Sequence, residues 1–270
     1  MNLLLRKAGA FIRRDFQIES SYKMNFVMGV VDSMIILVFF YFLDKLVADG
    51  SKNLERYGGD YLSFALIGLA FTRYFQLTLK MFSDSIRQAQ VTGCLEAMLS
   101  SQTDSLTIVL LSSLYGLVSG TIQLVIILAV GAGLAGVDFS HINYVATFLV
   151  FVASVLNFVA FGVLSASAIL WLKKGDPFSW FLIGMGTMLG GAYFPISLLP
   201  TWLQKISYII PFTHSLEGLR LAMLRHYSVG QVAEPLLALG IMAAILLPLS
   251  LVLFSYVVRQ GRKEGTLMQY

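Results

Sequence analysis

Asp32 and Arg73 each interrupt a long apolar stretch of the sequence. A charge in hydrocarbon is costly, so such residues are usually paired or functional. At about 1.5 Å per helical residue, Asp32 lies roughly 12 Å from the start of its stretch and Arg73 roughly 13 Å from the end of its own. The two stretches run in opposite directions, so the depths match and an Asp32–Arg73 pair between neighbouring helices is expected. Such a pair either locks two helices together or touches a substrate. Gln76, Gln123 and Asn157 are further polar residues in apolar stretches and are candidates to line the same path. Ser112, Gly116 and Gly120 fall four apart, as do Gly186 and Gly190, the spacing at which helix backbones approach closely.

Other chemistry has no visible constellation. The sequence contains no G-x-x-x-x-G-K-[ST] phosphate loop, no H-E-x-x-H and no G-x-S-x-G. His141, His214 and His226 fall in expected outer loops without metal-ligand spacing, and Cys94 is the single cysteine. The reading is of a passage or scaffold with no cofactor or metal of its own, not an enzyme by itself.

The elements that position these residues follow from composition. Of 270 residues, 57% are hydrophobic and 13% charged, with a mean hydropathy of +0.77. A soluble domain carries about 25% charge, so this chain cannot wet an ordinary soluble surface. A helix needs about 20 apolar residues to cross a roughly 30 Å hydrocarbon core. Six runs qualify: 24–43, 61–82, 105–135, 143–172, 178–199 and 235–258. The expected fold class is therefore an all-α membrane protein with six transmembrane helices, forming a single unit over residues 1–270. Pro248 should bend the sixth run.

Lys and Arg set the orientation. About a dozen cluster at one set of ends, from Arg6 and Lys7 through Lys80 and Arg87 to Arg262 and Lys263, against about six at the other. Both termini are expected to be cytoplasmic. The net charge of +4 is explained by these flanks, not by a nucleic-acid partner. Residues 1–22 read as an amphipathic helix in the membrane interface, because Leu5, Ala8, Ile12 and Phe16 recur at helical spacing opposite Arg6, Lys7, Arg13 and Arg14.

Two segments between the spans carry more character than a loop needs. Residues 83–104 are polar enough to leave the membrane, yet Ile86, Val91, Leu95, Met98 and Leu99 can form an apolar face for a cytoplasmic partner. A plain loop helix would read the same way. Residues 190–224 are broken by Pro195, Pro200 and Pro211 into apolar pieces too short to cross. That pattern reads as a helical hairpin re-entering the outer leaflet between the fifth and sixth spans, with its non-helical backbone shielded by protein or water.

Both segments resemble those of the ABC-2 family, the permease subunits of type-2 ABC exporters. The first is similar to the family's G-T-L-E element, present as Gly93-Cys94-Leu95-Glu96, with Cys94 in place of Thr. The second resembles the family's outer pattern through Phe194-Pro195, Leu199-Pro200, Trp202-Leu203, Pro211, Leu216-Glu217 and Arg220. The resemblance implies a homodimer with two copies of an ABC ATPase, which would bind the ATP and Mg. It makes Gln90, Gly93, Leu95 and Glu96 coupling residues, and Phe194, Pro195, Pro200, Pro211, Glu217 and Arg220 the outer re-entrant motif and gate. It implies export of an amphiphilic or hydrophobic substrate across the bacterial inner (plasma) membrane, with membrane lipids as surroundings. An ion-gradient-driven transporter or channel and a non-transporting assembly subunit are the alternatives. The former is expected to show a second copy of the broken segment, and none is visible.

Overall fold

Three helices begin at a side-chain cap that is legible in the sequence. The Asp60 carboxylate accepts from the Ser63 amide at 2.9 Å, the Asn143 carbonyl from the Ala146 amide at 3.1 Å, and the Asp176 carboxylate from the Ser179 amide at 3.0 Å. Each satisfies an amide that the first helical turn leaves unpaired. The computed structural model describes residues 9–13, 16–17, 23–46, 54, 56–57, 60–91, 93, 105–137, 139, 142–172 and 176–264. The helices are α1 (Lys23–Leu46), α2 (Tyr61–Val91), α3 (Ser105–Ala135), α4 (Tyr144–Leu172), α5 (Pro177–Leu189), α6 (Thr201–Ser207), α7 (Pro211–Leu224) and α8 (Ala233–Glu264), with a 3₁₀ turn at Ile196–Leu198. Among the described residues there is no strand.

The most buried of the long helices is α2, against which α1, α3 and α4 pack, while α8 packs chiefly on α4. Its lower half meets α3 and α4 through Met81 against Gly116 and Phe82 against Gly162. In its middle, Phe71, Tyr74 and Phe75 pack on Phe158 of α4. Beyond Phe82 a second cluster joins Ile86 to Val109, Ile169, Phe254 and Val258. The contacts make α1 and α3 antiparallel to α2, while α4 runs alongside it in the same direction. At the end where α8 terminates, Arg262 donates to Ser105 Oγ at 2.9 Å.

The outward faces are apolar. On α8, Leu237, Ile241, Ile245, Leu249, Val252 and Tyr256 are exposed at helical spacing, and α1 shows Met28, Val31, Ile35, Phe39 and Phe42 likewise. Water would not tolerate such continuous stripes on a soluble monomer, whereas acyl chains match them. Several hydroxyls within the helices are satisfied locally: Ser33, Ser113, Ser154 and Ser167 each donate to the carbonyl four residues back, whereas the buried Thr72, Thr147 and Thr213 hydroxyls have no partner among the described residues.

Among the described residues five helices, α1 to α4 and α8, are long and apolar enough to cross a membrane. The fifth expected run, 178–199, is not one long helix. Its helical part, α5, has 13 residues, about 20 Å, and stops at Gly190-Gly191. Gly191 has φ +72°, and a Cβ at Gly190 would lie 2.3 Å from the Gly186 carbonyl oxygen and 2.4 Å from a Phe212 ring carbon. Hydropathy is blind to this break because two near-neutral glycines barely lower the average of an apolar window and their backbone angles do not enter it. α2 also departs from expectation, running 31 residues to Val91 instead of ending near Phe82. Ile86, expected to face a partner, is instead buried within this chain.

Residues 9–13 and 16–17 of the expected interfacial segment 1–22 are helical. Phe16 meets Tyr115 of α3 edge to face, with ring centroids 6.2 Å apart. The rest of that segment lies outside the described residues.

Candidate functional site

Asp32 and Arg73 form an ion pair between α1 and α2. Next to it is a cavity of about 230 Å³ among α1, α2 and α3, lined by Gly29, Arg73, Gln76, Lys80, Ser119 and Gln123 among others. Arg73, Gln76 and Lys80 recur three and four apart, so they share one face of α2. Gly29 lets the two flanking helices close on the cavity: a Cβ there would stand 2.3 Å from Gln123 Nε2. The structure thus gathers Arg73, Gln76 and Gln123 at one place with Asp32 beside them.

Asn157 lies elsewhere. Its side-chain amide donates to the Ala153 carbonyl at 2.9 Å and to the Leu239 carbonyl at 3.0 Å. It therefore ties α4 to α8, and among the described residues its Oδ1 has no partner.

The second constellation is built where the chain leaves α5. Pro195 opens the 3₁₀ turn with φ −61°, Pro200 precedes α6 with φ −54°, and Pro211 starts α7. All three supply the fixed φ and missing donor that a helix start tolerates. Phe194 is half-buried beside Pro195, which is buried. After α6 the chain turns so that Phe212 packs on Phe71 and Phe75, with centroids 6.3 and 5.0 Å away. Those rings lie ten and fourteen residues into α2. From there α7 returns toward the start of α2.

Arg220 fastens that return. Its guanidinium is buried and donates to the carbonyls of Gly191 and Ala192, each at 2.7 Å, and of Phe64 at 3.1 Å. It lies 3.3 Å from the Phe64 ring centre and 5.9 Å from that of Tyr57. Carbonyl dipoles and a ring face thus balance the cation in place of a bound carboxylate. Glu217, one turn earlier, pairs outward with Arg56 at 2.5 Å. Burial, and then the Glu217 carboxylate, raises the Tyr57 phenol above its ordinary value, so its ring faces Arg220 uncharged.

A family model for ABC-2 type transporters matches residues 8–224. The chain belongs to the ABC-2 type transporter family. Among curated proteins, none matches this sequence. Family membership makes it a transporter's membrane-spanning permease subunit, in keeping with its multiple long apolar helices. It also implies an ABC ATPase as partner.

In this ABC-2 permease, Gln90 falls in the last turn of α2, and Gly93 sits just beyond with φ +69°. Cys94, Leu95 and Glu96 lie outside the described residues. Three features of the permease went unread in the sequence. Lys80, taken for a span flank, lines the cavity; its spacing from Arg73 and Gln76 was the available signal. Gly68 allows the close passage of the Ala192 carbonyl, and a solitary glycine in an apolar helix was the hint. His214, expected in a loop, is in α7 with a ring nitrogen 2.9 Å from the Tyr208 carbonyl oxygen.

Proposed function

We propose that this permease belongs to an ATP-driven exporter that moves an amphiphilic or hydrophobic substrate, of the drug, lipid or glycolipid/polysaccharide kind, outward across a bacterial inner membrane. The observation that carries the reading is the family match over residues 8–224. Two permease copies form a homodimer, and each engages one ABC ATPase, which binds the ATP and Mg. Both termini face the cytoplasm, on the side of the larger cation cluster.

On this reading, residues 83–104 receive the ATPase movement, with Gln90, Gly93, Leu95 and Glu96 at the contact. α2 is a stiff connector. One end of it stops two residues short of Gly93, and the Phe64 carbonyl near the other end accepts from Arg220. Displacement of the coupling end is therefore felt at the 190–224 segment through one unbroken helix. That segment re-enters the outer leaflet, Phe212 being its deepest point, and gates release.

Purified alone, the chain should hydrolyse no ATP. Co-expressed with the ATPase encoded beside it, it should copurify as a complex and alter the hydrolysis rate. Glu96→Arg should weaken that complex. If no ATPase copurifies, the exporter reading fails; if Glu96→Arg leaves complex and transport intact, Glu96 has no coupling role. Re-entry has its own test in a Cys94→Ser background. An impermeant thiol reagent added outside should label Ser197→Cys and spare Phe212→Cys, and equal labelling would remove the re-entrant element.

A further inference from the structure

The cavity among α1, α2 and α3 is unbalanced in charge. Arg73 is matched by Asp32, whereas Lys80 on the same face has no hydrogen bond or ion pair among the described residues. Neither do the carboxamides of Gln76 and Gln123. Gln123 is only 8% exposed, and it lines the cavity, where its carboxamide donors are available to a ligand. Lys80 also feels the Asp84 carboxylate one turn further along α2, but Asp84 does not line the cavity, whose lining holds two cations and two neutral donor sets and no carboxylate. That combination selects an anion.

The surroundings select an amphiphilic one. Lys80 is seven residues nearer than Arg73 to the end of α2, roughly 10 Å, which is the displacement from mid-leaflet toward headgroups. Leu77, exposed to 37%, forms part of the cavity lining. On α3 the exposed residues Val118, Ile122 and Val125 border Ser119 and Gln123. A polar pocket therefore adjoins an exposed apolar surface.

We propose that this cavity binds the phosphodiester headgroup of an anionic membrane lipid from the leaflet at the Lys80 end. Lys80 supplies the countercharge and Gln76 and Gln123 the neutral donors, while the acyl chain lies over Leu77 and the α3 stripe. Asp32 acts as a competing internal anion for Arg73. The proposal rests on the permease reading above and deepens it by naming a lipid class.

The test uses the full chain in detergent, with bound lipid counted by native mass spectrometry during titration with phosphatidylglycerol or phosphatidylcholine. Phosphatidylglycerol should bind about tenfold more tightly, the worth of one charge-assisted contact. Lys80→Gln should erase that preference and Lys80→Arg should keep it. Asp32→Asn should raise phosphatidylglycerol retention, an effect that a merely structural pair would not produce. Equal binding of the two lipids, or an unchanged preference in Lys80→Gln, overturns the site. Displacement of the lipid by inorganic phosphate at equal concentration would show a free-anion site and overturn the lipid assignment. Gln76→Leu, which leaves every charge in place, should weaken phosphatidylglycerol binding; no weakening counts against the donor role. No ATPase is needed, so failure here leaves the copurification test untouched, and failure of copurification leaves this binding result standing.

Discussion

The guanidinium of Arg220 lies 3.3 Å from the centre of the Phe64 ring and also donates to the Phe64 main-chain carbonyl at 3.1 Å. One residue of α2 thus holds one residue of α7 by both its side chain and its backbone. Two more carbonyls, those of Gly191 and Ala192, complete the grip. A helix that turns back into the protein at Phe212 needs such a fastening, because its own caps do not tie it to α2.

Replacing Arg220 should therefore be among the most damaging single changes at this end. Arg220→Met leaves three buried carbonyls without these donors and should cost at least about 2 kcal/mol. Arg220→Lys should recover only part, since an ammonium lacks the planar fork. Arg56→Ala, at a pair whose Arg side chain is 60% exposed, should cost under about 1 kcal/mol. Thermal unfolding in detergent would rank the three.

Gly68 and Gly133 should respond oppositely to alanine. A Cβ at Gly68 would fall 1.9 Å from the Ala192 carbonyl oxygen and 2.7 Å from Arg220 Nη2, and that carbonyl is backbone with little room to retreat. Gly68→Ala should destabilise by about 1–3 kcal/mol. At Gly133 nothing lies within 4 Å, so Gly133→Ala should be neutral or stabilise by up to about 1 kcal/mol. The same melting measurement separates them.

The Asp32–Arg73 pair invites a double-mutant cycle. Asp32→Asn and Arg73→Gln should each lower stability, and the exchanged double mutant Asp32→Arg/Arg73→Asp should regain part of the loss. Polar contacts between membrane helices are worth about 1–2 kcal/mol or less, so a coupling of about 1 kcal/mol is expected. Additive losses with no recovery on exchange would mean that the two charges act separately.

Gly93 tests the turn after α2. Its φ of +69° strains any residue with a Cβ, yet nothing lies within 4 Å of where that atom would go. Gly93→Ala should cost about 1 kcal/mol through conformation alone, and Gly93→Asn should cost less. If the turn sets the coupling contact, both should weaken ATPase copurification in that order.

What the sequence made legible depended on how large and how local each signal was. Asp32 and Arg73 stood out because a charge in an apolar run is expensive, and residue counting alone placed them at one level. Pro195, Pro200 and Pro211 were equally visible, since each forbids a continuing helix on its amino side. The Gly190-Gly191 break was not, because an apolar window scores glycine by transfer energy and ignores φ. Nor could hydropathy tell that Ile86 would be covered by α4 and α8 of its own chain, which depends on contacts distant in sequence. Lys80 was misread because a cation near a span end is normally a flank, and only the neighbouring α3 turns that position into a cavity wall.

The order of synthesis gives the Asp32–Arg73 pair a further consequence. α2 is the least apolar of the five long helices and the most buried, and a central arginine opposes insertion by about 2.5–3.5 kcal/mol. α1 emerges from the ribosome first and brings Asp32 into the bilayer before Arg73 arrives. The second helix can then enter against a waiting carboxylate, so the two partition into lipid together as a hairpin. Losing Asp32 would be felt while the chain is being made, as α2 left at the membrane surface, before any substrate is met.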